Sequence, residues 1–401
     1  MRVTRFSPLA LLLRLSNCSP YEVVNSHALV KKDPCTVLAS GYEVIDDAPA
    51  INSAITNCGN RGTIILPEGQ NYSIHTPLNF QDCKFCDFQI EGLLIVATSA
   101  VFGYRNTLNL AGVKGATIRS LTGKGLIDGN AFSYWWSRFD SGMVAVDTFF
   151  ELADSSEITI DNLNVKDVKQ RFFRATNASN IYFSRLNLDV YNQWGGYPRN
   201  AVEVAGIEIG NSTNVSISSI NMNFRSRQGW SGPLGFCIPI DSGSTNIRVK
   251  DINCFGAIGG VLINLGTIRP YLPYNPVKNI SVQNLVFDAN NTKNTHGSYA
   301  PTGLLDEWLG TLVPISDVTW DNVTIRGTNQ GVVVYDCYQK IRGMTGYPSW
   351  CAGVVQTRIT NAWFRNYQGS ISVNPPTDLG KGSNNMSFID LHFENWGTNQ
   401  S

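Results

Sequence analysis

The sequence predicts an all-β protein, a single right-handed parallel β-helix with a short N-terminal cap helix. Three observations indicate this fold: a strand pattern that repeats along the chain, polar turns between the repeats, and almost no helical periodicity. Such units cannot bury their apolar faces alone, so we expect them to stack into a solenoid of about ten coils. The repeats are "SSEITIDNLNVKDV" (from residue 155), "ASNIYFSRLNLDV" (178), "STNVSISSINMNF" (212), "STNIRVKDINCFG" (244), "VKNISVQNLVFDA" (277), "ISDVTWDNVTIRG" (315) and "NNMSFIDLHFENW" (384).

The composition fits this fold and excludes some partners. The chain has 401 residues, of which 43% are hydrophobic, and its 31 basic residues balance its 31 acidic ones. A neutral chain gives no reason to expect nucleic acid or an anionic membrane as a partner. A β-propeller is the alternative arrangement of repeated strands, but the spacing here is irregular and the units lack four strands each.

The N-terminal residues 1–25 resemble a secretory leader, followed by one β-helix domain over residues 26–401. Arg2 and Arg5 precede the apolar run Pro8–Leu13, which Arg14 ends sooner than is usual for a signal peptide. No apolar run reaches the roughly 18–20 residues that a membrane-spanning helix needs. We therefore expect a secreted, extracellular protein with no membrane partner.

Cysteines and glycosylation sequences also favour export. Nine cysteines are present, and one of them, Cys18, falls in the leader. The expected local disulfides are Cys35–Cys58, Cys83–Cys86, Cys237–Cys254 and Cys337–Cys351. A redox or zinc role for the Cys83–Cys86 pair is the alternative, although no second such pair supports it. Asn-X-Ser/Thr sequences begin at Asn17, Asn71, Asn177, Asn211, Asn214, Asn279, Asn290, Asn322, Asn385 and Asn399.

One convincing helix precedes the repeats. The stretch "DDAPAINSAITNCG", residues 46–59, has an acidic start, Ala and Ile at helical spacing, and a glycine at its end. We interpret it as the cap over the first coil.

Several stretches together resemble glycoside hydrolase family 28, the polygalacturonase-type pectinases, and in particular its fungal members. The resemblance extends from about residue 35 to 396. It implies the pectin-lyase-like form of the β-helix, a ligand such as pectin or a related polysaccharide bound in a cleft, and no cofactor. The stretches that carry it are "DDAPAINSAITNCGNRGTIILPEG", "CDFQIEG", "IRSLTGKGLIDGN", "GIEIGNSTNVSISS", "FCIPIDSGSTNIRVKDINCFGAIGGVLINLG" and "VVVYDCYQKIRGMTGYPSWC".

The residues that the family uses for hydrolysis differ in this sequence. An inverting glycosidase needs a carboxylic acid and a carboxylate about 6.5–9.5 Å apart. The resemblance implies that the family takes these groups from an Asn-Thr-Asp and an Asp-Asp-Cys motif, with a histidine from Gly-His-Gly. At the matching positions stand Ala205, Gly235 and Phe236, and Ile258 replaces the histidine. We therefore expect that the family's own mechanism does not operate here.

The candidate catalytic residues are the acidic residues that remain near these positions: Glu203, Glu208 and Asp241. Residues two apart share a face of a strand, so Glu203 is expected to point with Ala205 into the cleft while Val204 points to the core. Neighbouring coils of a stacked β-helix lie about 4.8 Å apart, so Glu203 and Asp241, on successive coils, are expected to form an acid and base pair. The alternative is that Glu203 is merely solvated and that Asp241 caps a turn.

The candidate ligand-binding residues are mostly aromatic or apolar. They suit the face of a neutral sugar or an apolar small molecule better than a polyanion. The alternative is that the tryptophans only bury their own loops. The family's Arg-x-Lys strand has no equivalent at the expected spacing, where Lys293 and His296 stand. The residues predicted to contact ligand are Trp194, Tyr197, Trp230, Phe236, Ile258 and His296.

Three functions remain open from the sequence. The first is a secreted family 28-type protein that acts on plant cell-wall pectin or a related polysaccharide. The second is a non-catalytic glycan-binding pseudoenzyme, and the third is a β-helix that binds or transforms an apolar small molecule in secondary metabolism. In each case we expect a monomer with no metal and no nucleic-acid partner.

Overall fold

The computed structural model describes the chain from residue 33 onward, with gaps. Expectations for the leader, residues 1–25, lie outside the described residues and stay predictions. The described ranges are 33–97, 106–131, 148–192, 204–226, 235–257, 259–264, 275–289, 300–305, 314–327, 332–335, 358–369, 377–379 and 387–396.

Within these ranges the strands form two parallel sheets, which confirms the predicted parallel β-helix. Successive coils add one strand or more to the larger sheet and usually one to the smaller sheet, and no antiparallel pair occurs among the described strands. The larger sheet contains β1 (Cys35–Thr36), β2 (Thr63–Leu66), β3 (Asn71–Ile74), β5 (Asp87–Ile90), β6 (Leu93–Val96), β8 (Thr117–Arg119), β9 (Leu126–Asp128), β11 (Ser156–Asp161), β12 (Asn164–Lys166), β14 (Ser179–Asn192), β16 (Thr213–Ser226), β18 (Thr245–Phe255), β20 (Val277–Asp288), β22 (Ile315–Arg326), β24 (Arg358–Gly369) and β26 (Ser387–Trp396).

The smaller sheet carries the candidate site. Its strands are β4 (Leu78–Asn79), β7 (Leu108–Asn109), β10 (Thr148–Glu151), β13 (Arg171–Thr176), β15 (Val204–Gly210), β17 (Gly235–Ile240), β19 (Gly259–Asn264), β21 (Ala300–Leu305), β23 (Val332–Tyr335) and β25 (Thr377–Leu379).

The asparagine that recurs at the start of each repeat has a physical reason. Asn180, Asn214, Asn246 and Asn279 all have φ between 56° and 58°, in the left-handed region that Asn tolerates better than most residues. Their side chains also bond across coils, since Asn214 Nδ2 donates to Asn180 Oδ1 at 3.2 Å and Asn279 Nδ2 donates to Asn246 Oδ1 at 2.7 Å. The repeated asparagine therefore bends the chain and ties one coil to the next.

The core lies between the two sheets and consists of stacked apolar side chains. On β22, β24 and β26, the rings of Trp320, Phe364 and Phe393 stack with centroids 4.8 and 5.3 Å apart, which is close to the coil spacing. Because the register is parallel, each coil buries its side chains against the equivalent ones of its neighbours.

The predicted helix is confirmed as α1 (Ala48–Cys58), which packs against β1, β2 and β4. It buries Ile51 and Ile55. The disulfides Cys35–Cys58, Cys83–Cys86 and Cys237–Cys254 are also confirmed. The fourth expected pair, Cys337–Cys351, lies outside the described residues. Among the described residues no helix has the length and apolar character needed to cross a membrane.

Candidate functional site

The candidate site is the outer face of the smaller sheet. Alternate residues of its strands, such as Ile207 and Ile238, belong to the core between the sheets. Ala205, Phe236 and Leu262 are equally buried but lie outside that core cluster, so they belong to the opposite, outer face. Val204 packs in the core, as the sequence predicted for it.

One row of this face joins two of the positions at which the sequence departs from its resemblance, Ala205 and Phe236. Arg171 is in register with Ala205, Ala205 with Phe236, and Phe236 with Gly259. Ala205 and Phe236 are only 6% and 4% exposed. A Cβ atom at Gly259 would lie 2.0 Å from Cδ1 of Phe236, so the ring lies directly against the glycine. This row carries a methyl group and a phenyl ring, and no carboxylate.

The contact between Phe236 and Gly259 gives a first prediction. Gly259→Ala should destabilise the fold by about 1–3 kcal/mol, because the new methyl group overlaps the ring and overpacking strains a tight contact. Urea denaturation of the single variant and of the Gly259→Ala, Phe236→Leu double variant measures this. The double variant should recover part of the loss, and equal losses in both would contradict the contact.

A second row, three residues further along, is charged at one end and apolar at the other. Glu151 is in register with Arg174, and Arg174 with Glu208. On the next two strands the row continues with Pro239 and Leu262, which pair with each other. The charged end and the apolar end thus lie side by side on one sheet.

The charged end holds a cluster of four side chains, which we call the arginine–glutamate cluster: Glu151, Arg171, Arg174 and Glu208. Glu208 is 1% exposed and pairs with both arginines, accepting a hydrogen bond from Arg171 Nε and lying 3.3 Å from Arg174 Nε through Oε1. The contact with Arg174 lacks the alignment of a hydrogen bond. The side chains of Arg171 and Arg174 are 12% and 25% exposed, so Arg174 reaches solvent most.

Burial and nearby charges change the acidity of Glu151. Burial raises the pKa of the Glu151 carboxyl from its ordinary 4.5 to about 7, and the negative charge of Glu208 adds to the increase. Arg174, Arg171 and a hydrogen bond with Thr148 act in the opposite direction. The pKa of Glu151 therefore lies near neutrality, where a small pH change alters the charge of the cluster.

Several polar atoms of the cluster have no hydrogen-bond partner among the described residues. They are Arg171 Nη1, Arg174 Nε and Glu208 Oε1, all of them buried. Thr176 Oγ1, on the same strand as the arginines, is also buried and has no hydrogen-bond partner among the described residues. Buried polar atoms normally have partners, so this group of atoms marks an unusual place in the fold.

Two of the predicted catalytic carboxylates fall within the described residues. Glu208 lies on the outer face as expected, within the arginine–glutamate cluster. Asp241 is also buried and follows β17 directly before the turn at Ser242 and Gly243, where the sequence placed a turn. The predicted residues Trp194, Tyr197, Trp230, Glu203, Ile258 and His296 lie outside the described residues, so their roles stay predictions.

The strand register bears on the expected pairing of Glu203 with Asp241. Val204, which follows Glu203, is in register with Gly235, and Ile209 is in register with Ile240. Asp241 lies six residues beyond Gly235, or about 20 Å at ~3.3 Å per residue. Glu203 itself lies outside the described residues, so its pairing with Asp241 stays a prediction.

Sequence reasoning missed three members of the cluster: Glu151, Arg171 and Arg174. A signal was present in "RFFRAT", where two arginines flank a pair of phenylalanines that are both buried. Phe172 and Phe173 both belong to the core, and Arg171 and Arg174, on either side of them, pair with Glu208 on the outer face although they are three residues apart. Simple alternation does not anticipate this arrangement.

No group of three or more His, Cys, Asp or Glu side chains in the described ranges is arranged to hold a metal ion. Among the described residues, the outer face offers charge pairing at the arginine–glutamate cluster, while Phe236 and Leu262 are buried there.

Comparison with known proteins places this geometry in a family. The family model described as glycosyl hydrolases family 28 matches residues 63–395. A protein of Aspergillus fumigatus named probable endo-xylogalacturonan hydrolase A is 31% identical over 333 residues, covering 82% of this chain and 77% of its own. The endo-xylogalacturonan hydrolase A of Aspergillus tubingensis is 29% identical over 331 residues, covering 81% and 76%.

Solved structures agree with the sequence matches. The crystal structure of endo-xylogalacturonan hydrolase from Aspergillus tubingensis superposes with a TM-score of 0.74 at 26% identity, covering 91% of this chain and 92% of that one. The polygalacturonase from Erwinia carotovora ssp. carotovora superposes with a TM-score of 0.62 at 12% identity, covering 91% and 100%, and supports the fold alone.

Proposed function

This chain belongs to glycosyl hydrolase family 28, and we propose that it binds a pectin of the substituted galacturonan type on the outer face of its smaller sheet. Its relatives are named for xylogalacturonan, a polymer whose name combines a uronic acid backbone with a neutral sugar. We further propose that hydrolysis by the family's own mechanism is absent, so that binding is the main activity.

The row of Arg171, Ala205, Phe236 and Gly259 carries this proposal. By resemblance, the family's acid and base belong at Ala205, Gly235 and Phe236, and none of these side chains can give or take a proton. A Cβ atom at Gly235 would lie 2.0 Å from the carbonyl oxygen of Val204, so a carboxylate at that position requires the backbone to move. Ala205 and Phe236 thus lack an acidic group, and at Gly235 the backbone also leaves no room for a side chain.

The two ends of the second row support a substituted polyuronide as ligand. The arginines of the arginine–glutamate cluster suit a carboxylate, since a guanidinium binds one through paired hydrogen bonds. The apolar end of the row, Pro239 and Leu262, is buried and carries no group that would bind a second carboxylate. A purely apolar small molecule, the third function considered from the sequence, would leave the charged end without a role.

Residual hydrolysis is the second candidate, favoured by one observation. Glu208 aligns with Pro239 through the register of Ile209 with Ile240, and Asp241 lies two residues further. Strand spacing and rise place their Cα atoms about 8 Å apart, so two carboxyl-bearing residues lie near each other, as an acid and base pair requires. Both side chains are only 1% exposed, which is poorly suited to activating water.

The test combines binding and turnover in one set of ligands. Isothermal titration should detect binding of oligogalacturonate and xylogalacturonan but not of a neutral β-glucan. Release of reducing ends should stay at background, and the triple variant Ala205→Asp, Gly235→Asp, Phe236→Asp should not restore a normal enzyme rate. Turnover that disappears in both Glu208→Gln and Asp241→Asn would instead establish hydrolysis by that pair. Binding of the neutral glycan alone would contradict the proposal.

We also propose that the protein is a secreted, monomeric glycoprotein. The three disulfides found among the described residues are of the kind that persist in oxidising compartments, and the Asn-X-Ser/Thr sequences offer acceptor sites. The test is to express the protein in a fungal host and to collect it from the culture medium. Its mass is then measured before and after treatment with a glycosidase that removes N-linked glycans.

A further inference from the structure

We propose that Arg171 and Arg174 form a subsite for the carboxylate of a uronic acid unit, and that protonation of Glu151 switches this subsite on. The proposal rests on the function proposed above and specifies how the anionic part of the ligand is recognised. Both arginines lie on β13, which is one strand before Ala205 on β15 and two strands before Phe236 on β17, toward the N-terminal end of the sheet.

The geometry of the arginines supports a receptor for a carboxylate. Arg174 lies between Glu151 and Glu208 in register, and its side chain is a quarter exposed, so its guanidinium borders solvent. Arg171 has a buried Nη1 donor with no hydrogen-bond partner among the described residues, and the buried Nε of Arg174 lies 3.3 Å from Glu208 Oε1 without forming a hydrogen bond. A guanidinium carries five N–H donors in a planar fork, and here Glu208 satisfies only part of them.

The charge of the cluster depends on one proton. With both glutamates ionised, two positive and two negative charges cancel. With Glu151 protonated, the cluster carries a net charge of +1 and also loses the group that repels an incoming anion. Because burial raises the pKa of Glu151 to about 7, this change falls close to neutral pH.

The groups that face Glu151 are few in the described part of the chain. Arg171 and Arg174 lie on β13, on one side, and Glu208 lies beyond them on β15. On the other side, β7 contributes Leu108 and Asn109, which carry no charge. On its own strand Glu151 bonds to Thr148, and Lys169 lines a small cavity with Phe149, two residues before Glu151.

The experiment measures oligogalacturonate affinity by isothermal titration between about pH 5 and pH 8, across the pKa of Glu151. In the wild type, affinity should fall roughly 10- to 30-fold as the pH rises over this range. This is the size of effect expected when one nearby carboxylate becomes ionised and repels the ligand in a partly screened site. Binding near pH 7 should take up a proton, which appears as a dependence of the binding heat on the ionisation enthalpy of the buffer. By linkage, the proton and the ligand strengthen each other's binding equally.

Two variants and one control separate this mechanism from a purely structural cluster. Glu151→Gln mimics the protonated acid, so its affinity should stay high at both ends of the range, with no proton uptake. Arg174→Met should weaken binding of the oligouronide at least tenfold. Arg225→Met is the matched control, because Arg225 pairs with Asp189 on the larger sheet, and it should leave binding unchanged.

The outcomes distinguish this inference from the proposed function. Oligogalacturonate binding with the same pH profile in wild type and Glu151→Gln would overturn the switch and leave the function standing. Binding that is unaffected by Arg174→Met, in a variant with wild-type circular dichroism, would overturn the subsite. No binding of any galacturonan at any pH would overturn the proposed function itself.

Discussion

Glu208→Ala is expected to destabilise the protein by about 3–5 kcal/mol, one of the two largest stability effects we predict. Glu208 is almost completely buried and is the carboxylate partner of Arg171 and Arg174. Removing it leaves two guanidinium groups close together in a poorly hydrated place, with Glu151 as the one remaining carboxylate of the cluster. Urea denaturation, followed by circular dichroism in the strand region, measures the loss.

The control for this prediction is an exposed pair on the larger sheet. Glu157 lies 3.5 Å from Lys114, and both side chains are about half exposed. Glu157→Ala should change stability by about 0.5 kcal/mol or less, because water and salt screen such a pair. Similar losses for both variants would mean that burial of the Glu208 pair adds nothing to its strength.

The second large effect is a loss of stability as the pH rises toward neutrality. The carboxyl of Glu151 has a pKa of about 7 in the folded protein and ordinarily 4.5. Between these values the folded state keeps a proton that the unfolded chain has lost, so the stability contributed by this group is complete below 4.5 and disappears as the pH passes about 7. At 1.36 kcal/mol for each pH unit, the change reaches about 3 kcal/mol.

Glu151→Gln isolates this contribution. The variant has no ionisable group at this position, so the difference in unfolding free energy between it and the wild type should grow in its favour from about pH 4.5 to about pH 7. Parallel pH curves for the two proteins would show that Glu151 titrates normally in the folded state. The measurement needs no ligand and is therefore independent of the binding experiments.

The fold could be predicted from the sequence because its signals are local and repeat. Asn214 and Asn246 begin successive strands with a left-handed residue, and the alternation that follows fixes which side chains enter the core. Each repeat carries the same pattern of a polar start and an alternating strand, so a repeat with a weak pattern can be assigned by comparison with the others. The cap helix could be predicted equally well, because its acidic start, the helical spacing of its apolar residues and its final glycine lie within one stretch of residues.

The site was harder to predict from the sequence because it depends on the register between coils. The sequence identified Glu208 and Asp241 as acidic residues near the altered positions, and both lie near the outer face or at its end. The partners of Glu208 come from another coil, 37 residues earlier for Arg171. That Phe172 and Phe173 both face the core, so that the two arginines share the outer face, is not visible in the sequence pattern. The expected pairing of Glu203 with Asp241 stays a prediction, because Glu203 lies outside the described residues.

The cap helix has a consequence for association between molecules. A parallel β-helix ends in strands whose outward N–H and C=O groups can pair with another chain, and β1 offers only two residues to cover β2. Helix α1 packs against both strands, and the Cys35–Cys58 disulfide joins β1 to the last residue of the helix. One covalent bond thus joins the cap helix to the first described strand. We expect its reduction to loosen α1 from β1 while the coils beyond it stay stacked, and to increase end-to-end association, which light scattering under reducing conditions would detect.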